Sequence, residues 1–183
     1  MPEGKRGAVF DESLELIRRL LREPEVDFAG EFFTVQGATV GDPPEAPLDI
    51  WLGGSAQAGL KRIGRYADGW LASFITPDEA AAGIDVIKQT AAEAGREVDP
   101  EHYGISIPVA FGELPELLVT AIRQRRADAP LDQLIPQGWD AARDLIGRYI
   151  DSGMSKFVVR PAGLEGGDDF LDDFVRELAP LQT

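Results

Sequence analysis

Residues 47–74 read PLDIWLGGSAQAGLKRIGRYADGWLASF, and the order of the parts in this stretch decides the fold. An apolar run over 48–52 stops at Gly53-Gly54-Ser55, a helical pattern follows over 55–66, and a second apolar run fills 69–73. Strand, glycine corner, helix, strand is the signature of a βαβ unit, whose two strands lie parallel. The alternation continues downstream. The pattern predicts a helix over 77–94, capped by Thr76 and stopped by Gly95, then a strand over 103–110 and helices over 115–126 and 139–151. A strand over 157–160 and a last helix over 168–178 complete it. The runs ISIPVAF and KFVV are continuously apolar rather than alternating, as in parallel sheets covered by helices.

Upstream of the corner, DESLELIRRLLR (11–22) places Leu14, Ile17, Leu20 and Leu21 at helical spacing, with Asp11 as N-cap and Pro24 as terminator. Residues 23–47 then carry β-prone pieces around Phe28 and 32–35, turn glycines Gly30, Gly37 and Gly41, and the prolines Pro43, Pro44 and Pro47. This segment reads as an extended excursion or ragged hairpin within a single domain, 1–183. About four βα units suit either a small open doubly wound sheet or part of a (β/α) barrel. Periodicity does not choose between them.

Composition narrows the function. Eighteen Lys and Arg against 32 Asp and Glu leave a net charge of −14, which repels phosphate backbones and anionic lipid. Nucleic acid and membrane surfaces are therefore not expected partners, and any anionic ligand needs a local positive site. The absence of Cys removes disulfides, thiol nucleophiles and thiolate metal sites, and suits a reducing cytoplasm. The N-terminal residues carry no signal-peptide pattern, and no apolar run approaches the ~18 residues of a membrane span. The single histidine, His102, precedes a strand at the end away from the expected active face and reads as structural. No metal site is expected: GGDDFLDD lacks the spacing of a calcium loop, and its Asp168 and Asp169 suit the start of a helix. No Ser-His-Asp set, phosphate-binding P-loop or dinucleotide fingerprint occurs, so no catalytic residue is assigned.

Several short motifs recur in a fixed order: WLGG (51–54), ADGW (67–70), TPDE (76–79) and AGR (94–96). FDESLELIRRLL and DFAGEFFTV lie upstream, and ARDLIGRYIDSGMSKFVVRPA lies downstream. In this order and spacing the chain resembles the luciferase-like monooxygenase family, flavin- or deazaflavin-dependent oxidoreductases built on a TIM barrel. The resemblance runs from about residue 10 to the end, but covers only about the C-terminal half of the family's pattern. It implies about four consecutive βα units of a (β/α)8 TIM barrel, a half-barrel of parallel strands covered by helices. A whole barrel takes about 250 residues and eight strands. The family's N-terminal strands, which supply much of the ring-facing wall and usually the acid/base residues, have no counterpart.

The glycine corner has two readings from its residues alone. It is a tight βα turn with Ser55 as an ordinary N-cap, or its backbone N–H groups meet an anion at the start of the helix. The resemblance implies the second, with Gly53, Gly54 and Ser55 on the cofactor phosphate and Gln57 and Gly59 on the adjoining helical turn. Ser73 ends a strand at the C-terminal face, where barrel active sites collect, and reads either as a cofactor contact or as a satisfied turn residue. Arg160, before Pro161, should emerge at the mouth to meet phosphate or an anionic substrate, or else form a salt bridge with a nearby acid. Trp51 and Trp70 read as core packing, and the basic run Arg123 to Arg126 as a solvated helix face or an interface.

The implied cofactor is FMN or an 8-hydroxy-5-deazaflavin coenzyme of the F420 type, without a metal. The implied reaction is hydride transfer, or oxygen insertion into a small organic substrate. The alternative is a non-catalytic phosphate-binding or structural subunit that has lost the catalytic half. Half a barrel exposes inward faces, here expected to include Ile50, Leu52, Leu71, Ile105, Ile107, Val109 and Val158 or their immediate neighbours, all large and apolar. The chain is therefore expected not to be competent alone, but to form a homodimer or a heteromer that completes the barrel.

Overall fold

The computed structural model describes residues 3–41, 45–163 and 169–181. It opens with α1 (Arg6–Leu20), which starts five residues earlier than the sequence predicts, with Lys5 at its N-cap. Asp11 is therefore no cap. It lies inside the helix, where its carboxylate pairs with Arg62. The excursion that follows is a hairpin of β1 (Val26–Ala29) and β2 (Thr34–Ala38), antiparallel and broken by a register shift between Val26 and Phe28. Glu12 of α1 clamps its turn, accepting hydrogen bonds from the N–H groups of Glu31, Phe32 and Phe33 at 2.9, 2.9 and 2.7 Å. Pro43 and Pro44 lie outside the described residues.

The alternating units follow as β3 (Trp51–Gly53), α2 (Gln57–Tyr66), β4 (Gly69–Ser73), α3 (Pro77–Glu93), β5 (Tyr103–Val109), α4 (Glu116–Arg125), α5 (Gly138–Asp151), β6 (Lys156–Pro161) and α6 (Phe170–Glu177). The residues chosen as boundaries of α3 act as predicted. Thr76 and Glu79 form a reciprocal capping box, and Gly95 turns the chain away at φ +67°. Asp168, expected to open the last helix, lies outside the described residues.

The four longer-range strands form one parallel sheet in the order β3-β4-β5-β6. Sequential order without reversal is the connectivity of a singly wound barrel, whereas a doubly wound sheet changes direction at a switch point. One face of the sheet carries the core. Trp70, Ala72, Ile105, Ile107 and Val109 pack against Ile63 of α2, Ile84 and Ile87 of α3, and Leu145, Ile146 and Tyr149 of α5. Trp70 fits because residue 83 on α3 is glycine: a Cβ there would lie 2.5 Å from the indole.

The opposite face follows from the ladder register. Gly53 pairs with Leu71, Leu71 with Gly104, Ser73 with Ser106, Ser106 with Val158, and Pro108 with Arg160. This corrects the expected inward face. Ile105, Ile107 and Val109 are at most 2% exposed under the helices, and Leu52 packs on the same side. Ile50 precedes β3 altogether. Only Leu71 and Val158 of the expected set stand on the open side, 38% and 49% exposed. Apart from Trp51 and the buried Pro108, the rest of that face is small or polar. Trp51 is also not in the core: its ring lies across Gly69 on the open side, where a Cβ would come within 2.5 Å of it.

Candidate functional site

The corner after β3 sits at the C-terminal end of the sheet, exposed from Gly53 to Ala58. Gly54 adopts φ +99°, a conformation that suits glycine, and no heavy atom lies within 4 Å of where its side chain would project. Ser55 is not the helix cap. Ala56 holds that position in an extended conformation, with no side chain capping the helix. Among the described residues, the N–H groups of Ser55, Ala56, Gln57 and Ala58 therefore have no acceptor. Gly59 differs, since its N–H is spent on the Ala56 carbonyl at 2.7 Å. Gln57 is exposed on the first turn.

Trp70 contributes more than bulk. Its indole N–H donates to the Gly54 carbonyl at 2.8 Å, turning that carbonyl toward the core. In a trans peptide the next N–H points the other way, so the Ser55 N–H faces the mouth, next to the positive end of the α2 dipole. The sequence treated Trp70 as packing alone. Its polar edge, which orients the corner, was not visible without the fold.

Ser73 ends β4 and is exposed on the open face. Beside it the register places Ser106, a residue that the sequence reading passed over. Its signal was present: one hydroxyl inside the otherwise apolar run ISIPVAF, flanked by buried Ile105 and Ile107. Arg160 is exposed near the end of β6, and among the described residues it forms no ion pair. Ser73 and Ser106 are thus brought together, while two strand spacings, about 10 Å, separate Ser73 from the strand of Arg160. A cavity of about 230 Å³ opens beyond β5 and β6, lined by Phe111, Glu113, Leu114, Pro115 and Ala162.

Arg126 departs from the expected solvated run. Its side chain is 16% exposed, and its guanidinium donates to the Phe74 carbonyl and to both oxygens of Glu79, at 2.9 and 3.0 Å. Tyr149 donates its hydroxyl to the adjoining Ile75 carbonyl. Burial pushes the Tyr149 hydroxyl up, and burial with the nearby Glu97 charge pushes Tyr103 up to about 12. Both face the helices and stay neutral at physiological pH. Among the described residues, no cluster of His, Cys, Asp or Glu is placed to hold a metal ion.

The opposite end of the sheet is built differently. Asp68 accepts from Arg18 at 2.9 Å, Arg96 at 3.2 Å and the Ile50 N–H at 3.0 Å. Burial opposes its charge, but the Ile50 N–H and the Arg18 and Arg96 guanidinium groups prevail and hold its carboxyl below the usual range. His102 lies here, as expected, with Nδ1 3.0 Å from the Asp68 carbonyl and its ring against Trp51. The motifs ADGW and AGR meet in this staple, through Asp68 and Arg96.

A sequentially ordered parallel sheet with helices on one face, and polar groups gathered at its C-terminal end, has the plan of the (β/α)-barrel enzymes. The sequence profile of luciferase-like monooxygenases matches residues 1–167, and the chain belongs to that family. It is 28% identical to an F420-dependent glucose-6-phosphate dehydrogenase of Mycolicibacterium smegmatis, over 98% of this chain and 62% of the relative. An uncharacterized protein of Mycobacterium tuberculosis is 36% identical over 58% of this chain and 37% of its own length. The chain thus spans just under two thirds of the dehydrogenase.

Solved structures with the same fold are luciferase-like TIM-barrel enzymes. An F420-dependent secondary alcohol dehydrogenase, in complex with an F420-acetone adduct, superposes with a TM-score of 0.75 at 15% identity, covering 100% of this chain and 64% of that one. A long-chain alkane monooxygenase gives 0.71 at 14% identity, over 99% and 56%. The oxygenating constituent of 3,6-diketocamphane monooxygenase from a Pseudomonas putida plasmid, in complex with FMN, gives 0.65 at 16%, over 94% and 62%.

Proposed function

We propose that this chain is the cofactor-phosphate-binding half of a luciferase-like oxidoreductase that uses F420 or FMN. The observation that carries this is the glycine corner of a family member, presented with outward N–H groups and open space above Gly54. The residues present fit the phosphate end of such a cofactor. Gly53 and Gly54 let a ligand approach the backbone, and Ser55 adds an N–H and a hydroxyl beside the helix start. Gln57 flanks them, and Gly59 serves through its lack of a side chain, because its N–H is taken. Ser73, joined by Ser106, offers hydroxyls to polar atoms of the ligand. Arg160 supplies the positive charge that an anionic cofactor or substrate requires on a surface of net −14.

When bound, the cofactor supplies hydride transfer, or oxygen insertion with a flavin. This chain's residues bind it, orient it and line one side of the pocket. The open face of the sheet is completed by a second copy, or by a further chain, which also excludes water from the reaction. Light scattering should therefore give a mass above the 19.9 kDa of one chain at micromolar concentration.

Gly54→Val tests the corner. Valine at φ +99° is strained and projects into the ligand's space. Titration with FMN and with F420 should show at least about 100-fold weaker binding than wild type, roughly 2.7 kcal/mol. Unchanged affinity in a folded variant reduces the corner to a turn.

A further inference from the structure

Phe74 is, among the described residues, the one non-glycine with a positive φ, +52°. A bulky side chain is disfavoured there, and such outliers persist only where neighbours over-determine them. Here three successive residues are each held by a different side chain. Arg126 donates to the Phe74 carbonyl, Tyr149 to the Ile75 carbonyl, and the Thr76 N–H donates to Glu79 at 2.6 Å. Glu79 in turn binds Arg126, and Asp128 holds the guanidinium from the other side at 3.2 Å. The left-handed turn also carries the Phe74 ring out of the main core, into a second apolar cluster with Leu114, Leu118, Ile122 and Leu131.

This corner follows Ser73 directly. Ile75 is buried and Thr76 is fixed as the cap of α3, so the chain downstream of Phe74 cannot yield. If Phe74 relaxed to an ordinary backbone conformation, the strand end upstream would have to move, and with it the last rung of the ladder, Ser73 beside Ser106. We propose that Arg126 is a positioning residue: by clasping the carbonyl of left-handed Phe74 it fixes where Ser73 presents its hydroxyl at the mouth of the sheet. Arg126 touches no ligand in this role. The part of the inference that concerns ligand affinity rests on the proposed cofactor site; the clasp itself does not.

The test uses the full chain. Arg126→Met keeps the aliphatic stem and removes the fork, Arg126→Lys retains one donor for the Phe74 carbonyl, and Ile122→Ala thins the second cluster that receives the Phe74 ring while leaving the side-chain hydrogen bonds of the corner in place. Hydrogen exchange without ligand should be at least tenfold faster at amides 73–76 in Arg126→Met, with α2 unchanged. Affinity for FMN or F420, whichever wild type binds, should fall about tenfold in Arg126→Met and recover in part in Arg126→Lys. Ile122→Ala should lower the melting temperature yet keep wild-type affinity. Unchanged exchange at 73–76, or an equal affinity loss in Ile122→Ala, overturns the positioning role. Wild-type chain that binds neither FMN nor F420 overturns the cofactor reading instead, and the exchange measurement still judges the clasp.

Discussion

The two ends of the parallel sheet are made from the same motifs but spend their polar groups in opposite ways. At the N-terminal end, Asp68, Arg18, Arg96 and His102 satisfy one another and the neighbouring carbonyls, tying α1, α2, α3 and two strands together. At the C-terminal end, four consecutive N–H groups have no acceptor among the described residues, and Ser73, half-buried Ser106 and Arg160 stand on the open side of the sheet. Paired groups lend stability, and unpaired ones are available to a ligand. The division matches the general plan of (β/α) barrels, whose lower face holds the fold while the upper face carries chemistry. The tetrapeptide ADGW serves both ends at once: Asp68 points down into the staple, and two residues later the Trp70 indole reaches up to Gly54.

The sharpest way to break this comparison is at the staple. Asp68→Ala removes the shared acceptor of two guanidinium groups whose side chains are only 21% and 23% exposed. Stranding two partly buried cations should cost about 2–3 kcal/mol, somewhat below the value for a fully buried pair. For a chain of this length that lowers the melting temperature by about 5–10 °C. Affinity for FMN or F420 at 20 °C below the melt should stay within about twofold of wild type, since no ligand group is touched. A loss of affinity as large as that in Gly54→Val would mean that the two ends are not separable.

Trp70→Phe sharpens the comparison from the middle of the sheet. Phenylalanine keeps an aromatic ring in the core but withdraws the outer edge of the indole from Gly83 and loses the N–H that fixes the Gly54 carbonyl. The unsatisfied carbonyl and the small void should lower stability by about 1–2 kcal/mol. Affinity should fall about tenfold as well, about 1.4 kcal/mol, because the Ser55 N–H is no longer held outward. Calorimetry and fluorescence titration read the two effects separately. Stability lost with affinity intact would return Trp70 to a purely packing role.

How much of this was legible in sequence depended on whether the signal was local. The strand 69–73, the Thr76 cap and the Gly95 stop emerged at their predicted positions, because each is set by neighbouring residues. Which face of the sheet is open was not legible. Tyr103 to Val109 is apolar almost throughout, so no period of two marks the inward side, and only the register with β4 and β6 assigns Ser106 and Pro108 to it. The start of α1 was missed because Lys5 caps it without a side-chain hydrogen bond, whereas Asp11 looked like a cap in every local respect. Arg126 lies 52 residues from the carbonyl it clasps, and no window of sequence contains both.

The smallest expected effect is a pH dependence confined to the staple. The folded-state carboxyl of Asp68 titrates below its ordinary 3.8, because the Ile50 N–H and the Arg18 and Arg96 charges outweigh the opposing effect of burial. A depressed folded value means that the unfolded chain binds the proton first as pH falls. The stabilisation is then fully present above the unfolded value and is lost as pH drops below about 3.8 through the folded one. The stability difference between wild type and Asp68→Asn should therefore be flat from pH 5 to pH 8, and should shrink by a fraction of a kcal/mol, roughly, once pH falls below the ordinary carboxylate value. Urea midpoints at matched ionic strength would measure it, since salt screens the Arg18 and Arg96 contribution. A difference that instead declined between pH 6 and pH 8 would place the pH-sensitive group outside the Asp68 carboxyl.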